Sequence, residues 1–117
     1  MPNPVVHFEV VGKDSDKLQS FFGDLFGWTI DSDNPVGYGI VEAQDGVGIG
    51  GGVAASQNGA SHVTFYVAVD DLGSYLQRAK ELGGTVVQEV TEIPGMVTFA
   101  LINTPEGHLI GLVNNQT

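Results

Sequence analysis

The chain repeats its own plan at an offset of 57 residues, so its fold has to accommodate two copies of one supersecondary unit. The run from Val5 to Val11 is β-branched and strand-like, and Asp14-Ser15-Asp16 behind it is a cluster suited to starting a helix. Leu18, Phe21, Phe22, Leu25 and Phe26 then fall on one apolar helical face, and Gly27 supplies the stop. The second half follows the same course. A strand from His62 to Val69 leads through Asp70-Asp71 to an apolar face of Leu72, Tyr75, Leu76, Ala79 and Leu82, closed by Gly83-Gly84. Thr64 against His7, Asp71 against Asp14 and Gly84 against Gly27 each differ by 57. Chance rarely aligns three such landmarks.

After each helix come short strands separated by turn signals. In the first half these are Trp28 to Ile30, Gly37 to Glu42 after Asn34-Pro35, and Gly48 to Ala54 after Asp45-Gly46. In the second they are Thr85 to Val90, Met96 to Ile102 after Pro94-Gly95, and His108 to Val113 after Pro105-Glu106-Gly107. Each half reads βαβββ. The expectation is an α+β protein, a single domain of two modules at about 4–55 and 61–114, joined by the small, polar stretch Ser56 to Ala60. A four-stranded sheet with one helix covers only one of its faces, so the other face needs a partner or a ligand.

Composition narrows the function classes. A hydrophobic content of 42% with 15% charged residues supplies a core, whereas disorder needs low hydrophobicity and high net charge. Four Lys and Arg against fourteen Asp and Glu leave a net charge of -10, with no basic patch for nucleic acid or an anionic membrane, and a neutral or cationic ligand is easier to accommodate. The absence of cysteine excludes disulfides, thiolate metal sites and cysteine nucleophiles. No run approaches the ~20 apolar residues of a bilayer span, and the Met-Pro-Asn-Pro start lacks the pattern of a secretory signal. A soluble, cytoplasmic protein is expected.

The stretches VVHFEVVGKDSDKLQSFFGDLFGW, VAVDDLGSYLQRAKELGGTVV and NTPEGHLIGLV, arranged as two βαβββ modules, resemble the vicinal oxygen chelate superfamily of glyoxalases, bleomycin-resistance proteins and extradiol dioxygenases. The resemblance covers nearly the whole chain. It implies two modules forming a curved mixed-sheet cup with the helices outside, and a homodimer, which is usual among small members. It also implies that a metal-dependent member would carry one ligand on the first and one on the fourth strand of each module. Carried over here, those positions are His7, Thr64, Gly111 and one of the glycines at 50 to 52. Only His7 is a good ligand, and divalent catalytic sites need about three protein ligands. No metal and no cofactor are therefore expected.

His7 reads as an inward-facing, hydrogen-bonded histidine or, less economically, as a metal ligand. Strand alternation puts Glu9 on the same side. Together they form a candidate acid–base pair, with a polar residue that merely accepts hydrogen bonds as the alternative for Glu9. His62 is expected to be a solvent-exposed strand-start residue, although a His7, His62 and Glu9 cluster is geometrically conceivable. His108 should face away from the cup. Tyr38, Thr64 and Tyr66 are placed beside the ligand, and Trp28 with Phe21, Phe22 and Phe26 in the core. The glycines at 46, 48, 50, 51 and 52 lack the Lys-Ser or Lys-Thr and helix of a phosphate-binding loop. They are expected to allow close backbone approach and to widen the cavity. The leading reading is a metal-free small-molecule-binding protein with its ligand at His7, Glu9, Tyr38, Thr64 and Tyr66. The alternative is a lyase, isomerase or dioxygenase-like enzyme using His7 or Glu9, or a non-standard metal site.

Overall fold

The computed structural model of the chain describes residues 2–44, 46–56 and 59–114. Ten elements follow one another: β1 (Val5–Gly12), α1 (Ser15–Phe26), β2 (Ile30–Asp31), β3 (Gly39–Val41) and β4 (Gly51–Ala55), then β5 (His62–Val69), α2 (Leu72–Glu81), β6 (Thr85–Ile93), β7 (Val97–Asn103) and β8 (Leu109–Asn114). The α+β class and the paired βαβββ plan are as expected. The 57-residue offset holds for the first strands, which begin at Val5 and His62, and for the helix N-caps, but not for the C-caps, which fall at Gly27 and Leu82. Asp14 accepts a hydrogen bond from Lys17 N, as Asp71 does from Ser74 N, satisfying donors that a helix start leaves open. Gly27 closes α1 in the left-handed conformation at φ 71°, which a side chain would oppose.

The chain divides into two compact units, one of residues His7–Thr64 and the other of the segment before His7 with the chain from Phe65 onward. In the first unit the strand order is β2-β3-β4-β1, with β1 parallel to β4 and the other pairs antiparallel. The second carries the order β5-β8-β7-β6, with β5 parallel to β8. The chain start is fastened to the second unit: Ala68 N donates to Pro4 O, Asn3 Nδ2 donates to Ala68 O, and the Tyr75 hydroxyl donates to Asn3 Oδ1. Of the expected linker, Gln57 and Asn58 lie outside the described residues, as does Asp45 of the Asp45-Gly46 turn.

The two helices differ in what they bury. α2 sits over strands of six to nine residues and buries Leu72 and Leu76, which join Val69, Ala100 and Leu112 in a core cluster. α1 buries none of its residues. Its expected core face is only half used, with Phe21 56%, Leu25 59% and Phe26 57% exposed. The reason is the sheet beneath it: β2 and β3 have two and three residues, too little surface to cover a stripe that runs the length of a twelve-residue helix. Leu82, expected on the α2 face, is also exposed because it forms the helix cap.

The contacts α1 makes toward the sheet are aromatic. Trp28 lies outside the strand predicted for it and packs against Phe22 at 5.3 Å, Phe26 at 5.3 Å and Phe8 of β1 at 5.4 Å. Phe8 therefore marks the sheet face covered by α1. By alternation, His7 and Glu9 stand on the other face.

Candidate functional site

On that other face of the first unit, four side chains from three parts of the chain meet. β1 supplies His7 and Glu9, the loop before β3 supplies Tyr38, and the first residue of β5 supplies His62. The Tyr38 hydroxyl lies 2.8 Å from His7 Nε2 and donates to Glu9 Oε2 at 2.9 Å. A hydroxyl has one proton, so with Glu9 receiving it the His7 ring must donate from Nε2, which assigns the tautomer. The order is His7 Nε2–H to Tyr38 Oη–H to Glu9 Oε2. The second carboxylate oxygen, Oε1, lies 3.7 Å from His62 Nε2. Burial lowers the His7 pKa, opposed by the charge of Glu9, and so favours the neutral ring.

Tyr38 is delivered by a turn that its own backbone pins. The Asn34 carboxamide oxygen accepts from Val36 N and Tyr38 N, while its amide nitrogen donates to Tyr38 O at 2.6 Å. Gly37, at φ 68°, provides the left-handed step immediately before the tyrosine. The ring then lies nearly parallel to His7, at 20° and 6.1 Å between centroids.

Register identifies the residue that faces this cluster from the fourth strand. Glu9 pairs with Gly52 and, 57 residues on from Glu9, Tyr66 pairs with Gly111. The first-unit counterpart of Gly111 is therefore Gly52, not Gly50 or Gly51. A Cβ built on Gly52 would overlap the Tyr38 hydroxyl, one on Gly51 the Phe8 ring, and one on Gly111 the Tyr66 ring. For Gly51 and Gly52 this corrects the expectation of a widened cavity. The space they leave is filled by the protein's own aromatic side chains.

All five expected ligand-binding residues are among those the structure describes. His7, Glu9 and Tyr38 form one hydrogen-bonded group. Thr64 is 4% exposed and buried in the first unit. Tyr66, 8% exposed in the second unit, lies edge-on to Phe99 above Gly111. His62 departs from its expected solvent position, because strand alternation from buried Thr64 points it inward to Glu9. Asn34 is a positioning residue that the Asn34-Pro35 dipeptide does not reveal, since it signals a turn but not what the turn holds. His108 is exposed and its Nδ1 meets Thr104 Oγ1 at 3.0 Å, as a turn residue would.

The inherited metal positions do not fit a divalent ion. Gly52 and Gly111 offer no donor, Thr64 offers a hydroxyl, and the His7 nitrogen nearest the cluster is engaged with Tyr38. Among the described residues no three His, Asp or Glu side chains are grouped to hold a metal.

A model of the Glyoxalase/Bleomycin resistance protein/Dioxygenase superfamily matches residues 5–112. The chain belongs to that superfamily. Its fold is shared by a superfamily member from Vibrio splendidus 12B01, at 22% identity and TM-score 0.62 over 97% of this chain and 100% of that one. It is shared too by a methylmalonyl-CoA epimerase from Mycobacterium tuberculosis, at 18% identity and TM-score 0.64 over 97% and 88%. A structure described as NAD-dependent benzaldehyde dehydrogenase from Legionella pneumophila gives 13% identity and TM-score 0.68 over 98% and 100%. No curated protein sequence matches significantly. At such identities the likeness speaks of fold, and one fold carries many chemistries. No helix among the described residues is long and apolar enough to cross a membrane.

Proposed function

We propose that this superfamily member binds a small molecule without a metal, on the sheet face where His7, Tyr38, Glu9 and His62 converge. The observation that carries this reading is the Tyr38 hydroxyl above Gly52, hydrogen-bonded to both His7 and Glu9, in the space a fourth-strand ligand side chain would need. Glu9 is the one carboxylate of the group, and the chain's four Lys and Arg, at positions 13, 17, 78 and 80, lie outside it. A neutral or cationic hydrogen-bond donor is favoured there over an anion. Methylmalonyl-CoA, the ligand class of one fold relative, is strongly anionic and fits this charge poorly. Thermal-shift screening of a metal-free preparation tests the proposal: hits should lose their stabilisation in Glu9→Gln and Tyr38→Phe. Hits that survive both substitutions would refute it.

A second reading, an acid–base enzyme of the isomerase or lyase type, is favoured by one feature, the neutral His7 joined through a hydroxyl to a carboxylate. Such a chain can pass a proton from His7 Nε2 through Tyr38 to Glu9 as His7 Nδ1 takes one from a bound substrate, so that the ring stays neutral. Turnover of a bound ligand, abolished by Tyr38→Phe with binding retained, would favour this reading over simple binding. Self-association into a homodimer belongs to the same proposal and is supported by the apolar side chains that α1 leaves exposed.

A further inference from the structure

The opposite face of the first unit carries a cavity distinct from the His7 cluster. It is an open depression of about 370 Å³ between α1 and β2, lined by Asp16, Gln19, Ser20, Trp28 and Ile30. Its volume lies in the range of small-ligand sites, roughly 300–1,000 Å³. Asp16, Gln19 and Ser20 are spaced at i, i+3 and i+4 and so share one side of α1. The depression is a built feature. Gln19 Nε2 donates to Val53 O at 2.9 Å, and this reach exists because residue 39 is glycine: a Cβ there would meet the Gln19 amide, Val53 O at 2.6 Å and Ile30 Cγ2 at 2.8 Å. Trp28 is held in place by Phe8, Phe22 and Phe26.

The polar groups at this cavity share one character. Gln19 gives one amide hydrogen to Val53 O, and its carbonyl oxygen can serve as an acceptor. Asp16 is a carboxylate and accepts only, Ser20 can accept, and the indole face of Trp28 attracts cations. None of the lining residues is basic. We propose that this depression is a binding site for a small organic cation, an alkylammonium or guanidinium group seated on Trp28 with Asp16 as counter-ion. The site is independent of the metal-free site at His7, because it lies on the sheet face that α1 covers.

Trp28 is the chain's single tryptophan, so its fluorescence reports on this place alone. Benzyltrimethylammonium, titrated with excitation selective for indole, should change the emission saturably, whereas benzyl alcohol and benzoate at equal concentration should not. Asp16→Asn, a surface change on a helix, should raise the apparent Kd about threefold to fivefold, the scale of exposed ionic and cation–π contacts. Gly39→Ala should weaken binding through displacement of Gln19, and circular dichroism of both variants checks that the fold persists. Equal response to benzyl alcohol or benzoate, no saturable response, or an unchanged Kd in Asp16→Asn would each overturn the proposal. Loss of the response in Glu9→Gln with retention in Asp16→Asn would move the cation to the other face and overturn it equally.

Discussion

The hydroxyl of Tyr38 occupies the place where a side chain at residue 52 would begin, so Gly52 and Tyr38 determine each other. Gly52→Ala should displace the phenol, break its bonds to His7 and Glu9, and destabilise the fold by about 1–3 kcal/mol, the usual cost of overpacking. Tyr38→Leu, which shortens the side chain, should recover part of that loss in the double variant. Additive effects in urea denaturation would mean that the two residues do not meet.

Tyr38→Phe removes only the oxygen. His7 Nε2 and Glu9 Oε2 each lose a partner while both are partly buried, and stability should fall by about 1–2 kcal/mol. Asn34→Ala should reproduce the loss of His7 contact indirectly, by freeing the turn that aims the ring. The imidazole resonances of His7, followed by NMR, would move in both variants if the positioning is as described and in only the first if Asn34 is incidental.

His7 makes stability depend on pH in a predictable direction. Burial lowers its folded-state pKa below the ordinary 6.5, so below that ordinary value the unfolded chain binds the proton that the folded ring refuses. Its contribution is fully present above pH 6.5 and is lost as pH falls from there through the lowered folded value. His7→Gln should flatten this part of a denaturation-midpoint profile. An unchanged profile would show that His7 titrates alike in both states.

The unequal helices give a contrast in mutational cost. Leu76→Ala, in the core cluster, should cost about 2–4 kcal/mol. Leu25→Ala should change the stability of a monomer by less than about 0.5 kcal/mol. If α1 covers itself against a second copy, Leu25→Ala should instead weaken a dimer seen by sedimentation equilibrium. A species of single-chain mass at every concentration would end the homodimer proposal.

Metal addition is the last check. After dialysis against chelator, zinc, nickel or manganese should leave the melting temperature unchanged, because glycine at 52 and 111 and threonine at 64 supply too few donors beside His7. A rise of several degrees would require a ligand set other than the inherited one.

Much of the fold was legible in the chain because its signals are local. A strand announces itself by β-branched runs, a helix start by Asp14 or Asp71, a stop by Gly27, and a repeat makes each signal count twice. His7 and Glu9 on one face follow from strand alternation alone. Which residues meet them is a different kind of information. Tyr38 and His62 lie 29 and 53 positions from Glu9, and only the registry of β1 with β4, the pinning of the Asn34 turn and the inward face of β5 bring them to it. The glycines reverse in meaning for the same reason. In sequence a missing side chain reads as empty space, and only packing reveals that Tyr38, Phe8 and Tyr66 have filled it. The apolar stripe of α1 was equally readable as a pattern. Whether it is buried depended on the two- and three-residue strands beneath it, since burial belongs to the surface a neighbour offers and not to the residue itself.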